Sequence, residues 1–217
     1  MFDVDGVLAD PTPALAVAWS EVAEKFHVEI SVKDYVSWIG LPLQTVMEKV
    51  FGSAGSRDLA THVFEAAMSR SSRLVDLFPN VSSVIGMLAS NGIQSWAFTS
   101  KPRSRAIDLC ERAGISAEQL VAGDDLPTGL GKPHPAGLLK VVKCSGIPRE
   151  QIIFLGDTAY DLQSAARARV FFCHAKWGFQ SSLTLPEGTP SFETLPEFAR
   201  YVLTRSDETY FSSEVFE

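Results

Sequence analysis

No stretch of this 217-residue chain approaches the ~20 consecutive apolar residues of a membrane-spanning helix, so no membrane partner is expected. Cysteine is scarce. Cys110, Cys144 and Cys173 lie far apart and form no CxxC pair, which argues against structural zinc and a disulfide framework and for buried free thiols. Basic charge is short as well: 19 Lys and Arg stand against 26 Asp and Glu, a net charge of −7, with no basic run. Nucleic acid is therefore not an expected partner. Such a chain would not draw a phosphate ester from a distance either. A phosphate site would need positive potential built locally, from a metal ion, a lysine and backbone amides. The N-terminus lacks a basic start followed by an apolar run, so no signal peptide is expected and a cytoplasmic location is.

What is present is ordinary globular material, 46% hydrophobic and 21% charged, enough for one large domain or two small ones. Residues 14 to 76 read as successive helices. Leu15, Ala18, Val22 and Phe26 recur at helical spacing, then Leu43, Val46, Met47, Val50 and Phe51, then Leu59, Ala60, Val63, Phe64, Ala67 and Met68. A turn at Ile39-Gly40-Leu41-Pro42 interrupts them. After Phe78-Pro79 helices alternate with short apolar strands, expected at Ile93 to Phe98, 120 to 123, Gln151 to Leu155 and Val170 to Cys173. That alternation implies right-handed crossovers and a doubly wound parallel sheet. The expected organisation is an α/β core of residues 1–12 and 78–217, with an α-helical insert at 13–77. The polar stretch from about 205 to 217 is expected to fray.

Doubly wound sheets present functional groups at the C-terminal ends of their strands, and polar residues collect there. Asp3-Val4-Asp5-Gly6 sets two carboxylates on one side of the chain at a strand end, beside a glycine that lets the backbone turn close to a ligand. Gly156-Asp157-Thr158-Ala159-Tyr160-Asp161 places two acids four apart at a strand-to-helix junction, where they can face one point. Each has a plainer explanation, a solvated turn for the first and helix capping for the second. Thr99 ends an apolar strand, and Lys132 lies in the Gly/Pro-rich loop Gly129-Leu130-Gly131-Lys132-Pro133-His134-Pro135. Alone, neither says much.

Taken in order, Asp-x-Asp-Gly, a strand-end Thr, a loop Lys before Pro, and Gly-Asp-x-x-x-Asp form a far more specific pattern. It resembles the four-motif signature of the haloacid dehalogenase superfamily over nearly the whole chain. Thr99-Ser100-Lys101-Pro102, Gly131-Lys132-Pro133-His134-Pro135 and Trp177-Gly178-Phe179 resemble its phosphoglycolate phosphatase branch. The resemblance implies a Rossmann-like core with a helical cap inserted after the first motif. It also implies a Mg2+-dependent phosphatase acting on a small phosphorylated metabolite, as a monomer or weak homodimer. Asp3 would be the nucleophile, forming an aspartyl phosphate. Asp5 would be the general acid and base, with a pKa raised by neighbouring carboxylates. Asp3, the Asp5 carbonyl and Asp157 would bind the metal, with Asp161 holding its waters. Lys132 would neutralise charge between Asp3 and the phosphate. Gly6, Thr99 and Ser100 would meet the phosphate oxygens. Asp10 is a secondary candidate at the cap entrance, and His134, between two prolines, is expected to be structural.

Three features depart from the pattern, one of them Pro11, which stands where relatives often have a serine. Only Met1 and Phe2 precede Asp3, fewer than the five or so residues a central strand usually has, so the expectation is a natural start upstream or a truncated first strand. Asn80 stands where relatives often have glycine, a mild change because Asn tolerates a left-handed backbone. Three other activities in the superfamily compete: a β-phosphoglucomutase-like, a phosphonate-cleaving and a pyrophosphatase one. The turn at Gly40-Leu41-Pro42 offers no Lys or Arg for a second phosphate, which favours simple hydrolysis over mutase chemistry. A non-catalytic phospho-accepting or binding module is the competitor from another class; receiver-type modules are shorter and lack the insert and the Gly-Asp-x-x-x-Asp.

Overall fold

A computed structural model describes residues 1–30, 38–52 and 54–207. At its centre lies a parallel sheet. The strands β3 (Ala97–Phe98) and β4 (Leu120–Val121) pair on one side, and β5 (Ile153–Gly156), β6 (Phe171–Ala175) and β7 (Ser191–Phe192) on the other. Phe2 bridges the two groups, parallel to both Ala97 and Leu155. Its amide donates to Trp96 O at 2.8 Å and its carbonyl accepts from Phe98 N at 2.9 Å. On the other side Asp3 N donates to Leu155 O and Leu155 N to Met1 O. The Met1 ammonium itself donates to Ile153 O at 2.8 Å. Met1, Phe2 and Asp3 are thus each hydrogen-bonded into the sheet. The strand order is β4–β3–Phe2–β5–β6–β7.

Residues that alternate along these strands serve two different cores, the mark of a sheet covered on both faces. Phe2, Ala97, Leu155 and Cys173 pack with Val84, Ile85 and Leu88 of α4 (Val81–Ser90), Leu109 of α5 (Arg103–Ala113) and Phe198 of α8 (Leu195–Asp207). Phe98, Phe154 and Phe172 face the other way, onto Leu138 and Val141 of α6 (Ala136–Ser145) and Ala165 of α7 (Ala159–Ala168). The fold is therefore a doubly wound α/β sheet. The predicted helices stop where the sequence signals a stop: Gly114 and Gly146 take left-handed φ after α5 and α6. Asn80, just before α4, takes φ 69°, the left-handed backbone that glycine would supply.

The insert is helical too. α1 (Thr12–Phe26), α2 (Leu43–Phe51) and α3 (Ala54–Arg70) pack through Trp19 against Phe64 and Phe26 against Phe51. A short antiparallel ribbon joins cap to core, β1 (Ala9–Asp10) pairing Ala9 with Leu77 and Asp10 with Asp76 of β2 (Asp76–Leu77). Asp10, the secondary candidate, sits in that ribbon and accepts the Thr12 amide, so its observed work is to start α1.

Several expectations need correction. The strands β3 and β4 are shorter than expected, with Ile93 to Trp96 outside β3, while β5 and β6 begin later and run past the expected ends to Gly156 and Ala175; β7 had no sequence signal. Cys110 and Cys173 are buried but Cys144 is exposed. The helix α8 reaches Asp207, within the stretch expected to fray, and residues 208–217 lie outside the described ones. No helix among the described residues is long and apolar enough to cross a membrane.

Helix α6 approaches the sheet through a glycine. A Cβ on Gly137 would lie 2.1 Å from the Phe98 ring. Gly137→Ala improves intrinsic helix propensity by about 1 kcal/mol, yet overpacking should dominate and lower stability by about 1–3 kcal/mol. Urea unfolding checks the sign; a more stable variant would show that α6 does not press on Phe98.

Candidate active site

The site forms at the C-terminal edge of the sheet, where Asp3, Thr99 and Asp157 leave adjacent strands. Asp3 is 3% exposed and Asp157 and Asp161 are fully buried, and ligand atoms of the three carboxylates lie within 4.8 Å of one another. Lys132 reaches in from the loop before α6. Its ammonium lies 2.6 Å from Asp3 Oδ1 and 2.7 Å from Asp161 Oδ1. Its position is held over the faces of Phe98 and Phe154, at 4.8 and 5.5 Å from the ring centroids. The same loop contains the cis Lys132–Pro133 peptide. His134 Nδ1 accepts the Ala136 amide, a local bond at the start of α6.

Asp161 serves two purposes. Its Oδ2 accepts from the Thr158 amide and hydroxyl, at 3.0 and 2.7 Å, which closes a capping box at the start of α7. Its Oδ1 faces Lys132. One oxygen therefore caps the helix and the other faces the lysine. Asp157 is divided in the same way. Oδ2 accepts the Phe179 amide at 2.7 Å, while Oδ1, buried, has no hydrogen-bond partner among the described residues.

Asp157 fits because its neighbours lack side chains. A Cβ on Gly6 would stand 2.2 Å from Asp157 Oδ2, and one on Gly178 would stand 2.3 Å from Asp157 Cβ. Gly6 also has φ +85°, a conformation open to glycine. Its amide, expected to face a phosphate, donates instead to Ala9 O at 2.9 Å. What Gly6 provides is close approach. Trp177-Gly178-Phe179 proves to be part of the same construction, with Trp177 Nε1 donating to Val7 O and the Phe179 amide holding Asp157.

On the other side of Asp3, Thr99 Oγ1 accepts the Lys101 amide. The Ser100 amide has no partner among the described residues, and the Ser100 hydroxyl donates to Gly40 O of the insert at 2.8 Å. Lys101 Nζ lies 3.0 Å from Asp5 Oδ1, its side chain only 5% exposed. The charge paired with Asp5 is thus an ammonium, where neighbouring carboxylates had been expected. Lys101 was missed as a site residue. The signal was its place beside Thr99, but a lysine two residues past a strand end reads as a solvated turn.

Burial is the dominant electrostatic influence. It pushes Asp3 up to about 7, against the pull of Lys132 and with the help of the Asp161 charge. Burial, then the charges of Asp161 and Asp3, holds Asp157 well above the usual carboxylate range. Burial opposes the Lys132 charge, but Asp161 and Asp3 outweigh it and hold the ammonium protonated. Three buried carboxylates facing one lysine, with Asp157 Oδ1 orphaned, are a donor set suited to a hard cation taking oxygen ligands. Asp3 and Asp157 have oxygens to offer it.

Over these groups lies a cavity of about 110 Å3. Asp3, Asp5, Ser100 and Lys101 line its floor, and Trp19, Trp38, Leu43 and Phe64 of the insert its roof. Ligand pockets more often measure roughly 300–1,000 Å3, so this one suits a small molecule. A larger cavity of about 750 Å3 lies at the opposite end of the sheet, against Met1, Trp96 and Ile153, away from the carboxylates.

Known proteins with this organisation can now be compared. The chain is 27% identical to phosphoglycolate phosphatase 1 of Pseudomonas aeruginosa over 202 residues, covering 88% of this chain and 74% of that protein. It is 29% identical to a phosphoglycolate phosphatase of Yersinia pestis over 180 residues, covering 77% and 75%. The crystal structure of a hydrolase from Pseudomonas syringae shares the fold, with a TM-score of 0.77 over 96% of this chain and 97% of that one at 18% identity. Residues 1–175, from Asp3 past Asp161, match the model of the haloacid dehalogenase-like hydrolases, and the chain belongs to that family.

Proposed function

We propose that the protein is a Mg2+-dependent phosphatase that hydrolyses a small, phosphoglycolate-like phosphate monoester through an aspartyl phosphate on Asp3. The observation that carries this reading is the Lys132 ammonium 2.6 Å from Asp3 Oδ1, beside the orphaned Asp157 Oδ1. A carboxylate held against a cation can approach a phosphate dianion that it would otherwise repel. The substrate's class comes from the named relatives and from the small cavity.

In the first half-reaction an Asp3 oxygen attacks phosphorus, and the ester oxygen leaves with a proton from Asp5. In the second, Asp5 takes the proton of a water that attacks the acyl phosphate, returning Asp3 and releasing phosphate. Lys132 stays charged throughout and neutralises the oxygens between Asp3 and phosphorus. The Thr99 hydroxyl and the free Ser100 amide grip the remaining phosphate oxygens. Lys101 orients the Asp5 carboxylate. Mg2+ would be held by Asp3, the Asp5 carbonyl and Asp157, with Asp161 behind, and would supply charge neutralisation at the phosphate. We assign residues 13–77 to the cap and 1–12 with 78–217 to the core, acting in the cytoplasm as a monomer or weak homodimer.

Two measurements test this. Phosphate release from p-nitrophenyl phosphate and 2-phosphoglycolate in Mg2+ should vanish in Asp3→Asn and fall roughly 100-fold to 10,000-fold in Asp5→Asn. Full turnover by Asp3→Asn would sink the nucleophile. Separately, thermal unfolding should shift upward with Mg2+, equivalent to about 2.7 kcal/mol at a hundredfold excess over Kd. Asp157→Asn should abolish that shift; an equal shift in the variant would place the ion elsewhere.

A further inference from the structure

The cavity above Asp3 contains a cation that the chemistry above does not use. Arg103 and Arg105 both open α5, but residues two apart on a helix point in different directions. Arg103 turns away from the site. Its guanidinium pairs with Asp125 at 2.5 Å and donates to Ala117 O and Leu120 O, tying down the loop after β4. Arg105 lines the cavity instead. It is partly buried, and among the described residues its guanidinium makes no hydrogen bond and has no carboxylate within 4 Å, although its backbone amide donates to Pro102 O. Burial lowers its pKa, while Glu65 of α3, Asp5 and Asp124 act in the opposite sense from farther off.

Every other charged group on that lining has a partner. Lys132 is held by Asp3 and Asp161, and Lys101 by Asp5. The roof is apolar, with Leu15, Trp19, Trp38, Leu43, Val46 and Phe64 facing the floor. A substrate whose phosphate sits at Asp3 would therefore place its other end against hydrocarbon and one unpaired guanidinium. A half-desolvated guanidinium is the natural partner of a carboxylate, which it can meet with two parallel N–H donors. The cavity volume of about 110 Å3 leaves room for a carboxylate more readily than for a second phosphate.

We propose that Arg105 is the specificity-determining residue of this site, selecting monoesters that carry a carboxylate at the end remote from phosphorus. The inference rests on the phosphatase reading and adds to it the group that distinguishes one ester from another. Arg105 touches the substrate's tail and takes no part in bond making or breaking.

A charge scan of the tail tests it. Hydrolysis of 2-phosphoglycolate, ethyl phosphate and phosphoethanolamine compares an anionic, a neutral and a cationic tail on one phosphate. The native chain should rank them in that order of kcat/KM. Arg105→Gln should cost 2-phosphoglycolate roughly 10-fold to 100-fold, the worth of a charged hydrogen bond, chiefly in KM. Ethyl phosphate should change by less than about threefold under the same reasoning. Arg105→Lys should recover part of the loss, and Arg105→Glu should move the preference towards phosphoethanolamine. An equal loss on all three esters would make Arg105 a structural bridge to Glu65 and overturn the proposal, as would a native chain indifferent to the tail. Calorimetric binding of 2-phosphoglycolate to Asp3→Asn, with and without Arg105→Gln, separates this inference from the reaction itself. Weaker binding in the double variant supports Arg105 even if no ester turns over. Unchanged binding, or no binding to Asp3→Asn, overturns it.

Discussion

A single buried ammonium organises the site. Lys132 Nζ stands between Asp3 Oδ1 and Asp161 Oδ1, and these residues come from the central strand, the loop before α6 and the first turn of α7. Buried carboxylates without a counter-charge cost several kcal/mol each in desolvation. The lysine makes the convergence tolerable, and its aliphatic stem and charge rest on Phe98 and Phe154 of the sheet. It does not balance the books. Three carboxylates face one cation, and the imbalance appears as an Asp3 pushed up to about 7 and an Asp157 oxygen with nothing to hold. A site with that much residual negative charge is a donor set suited to a cation.

The sheet delivers these groups because adjacent parallel strands end at one edge. Phe2 pairs with Ala97 on one side and Leu155 on the other, and it directs Asp3 between Thr99 and Asp157. The second requirement is emptiness. Asp157 can sit beside Asp3 because Gly6 and Gly178 leave the space a Cβ would fill. A glycine at each place costs backbone entropy on folding, and the return is a carboxylate held by a backbone amide on one oxygen and open on the other.

Much of this was legible in the sequence. Two acids at i and i+2 where a strand ends, two more at i and i+4 at a helix start, and a lysine fixed between Gly and Pro have local geometry that spacing alone constrains. Their convergence came from the order of the motifs. What stayed hidden depends on contacts made across the chain. Lys101 reaches Asp5 over 96 positions, and Phe179 holds Asp157 through a backbone amide that no side-chain pattern reveals. Gly6 was misread because glycine beside an acid suggests an open amide, while the tight turn spends that amide on Ala9. Ile93 to Trp96 were read as strand with the apolar Ala97 and Phe98 that follow, yet the ladder partners Phe2, Leu120 and Val121 meet only Ala97 and Phe98, and β3 shrinks to those two.

The loop after β3 links the sheet edge to the insert. Ser100, whose amide has no partner among the described residues, donates its hydroxyl to Gly40 O of the insert. Gly40 has φ +95°, and a Cβ there would lie 2.9 Å from Thr158 Oγ1, beside the capping box that fixes Asp161. Pro42 stands against Gly131, next to Lys132. The turn at residues 40–42 therefore touches the segments that carry three of the site's motifs at once. On the proposed mechanism, a phosphate that orders Ser100 and Lys132 also orders the surface on which that turn rests. Phosphate binding and the placing of the apolar roof above Arg105 would then be coupled through that turn. On the proposed reading, the groups common to all phosphate esters belong to the sheet edge, and the insert and Arg105 supply what differs between one ester and another.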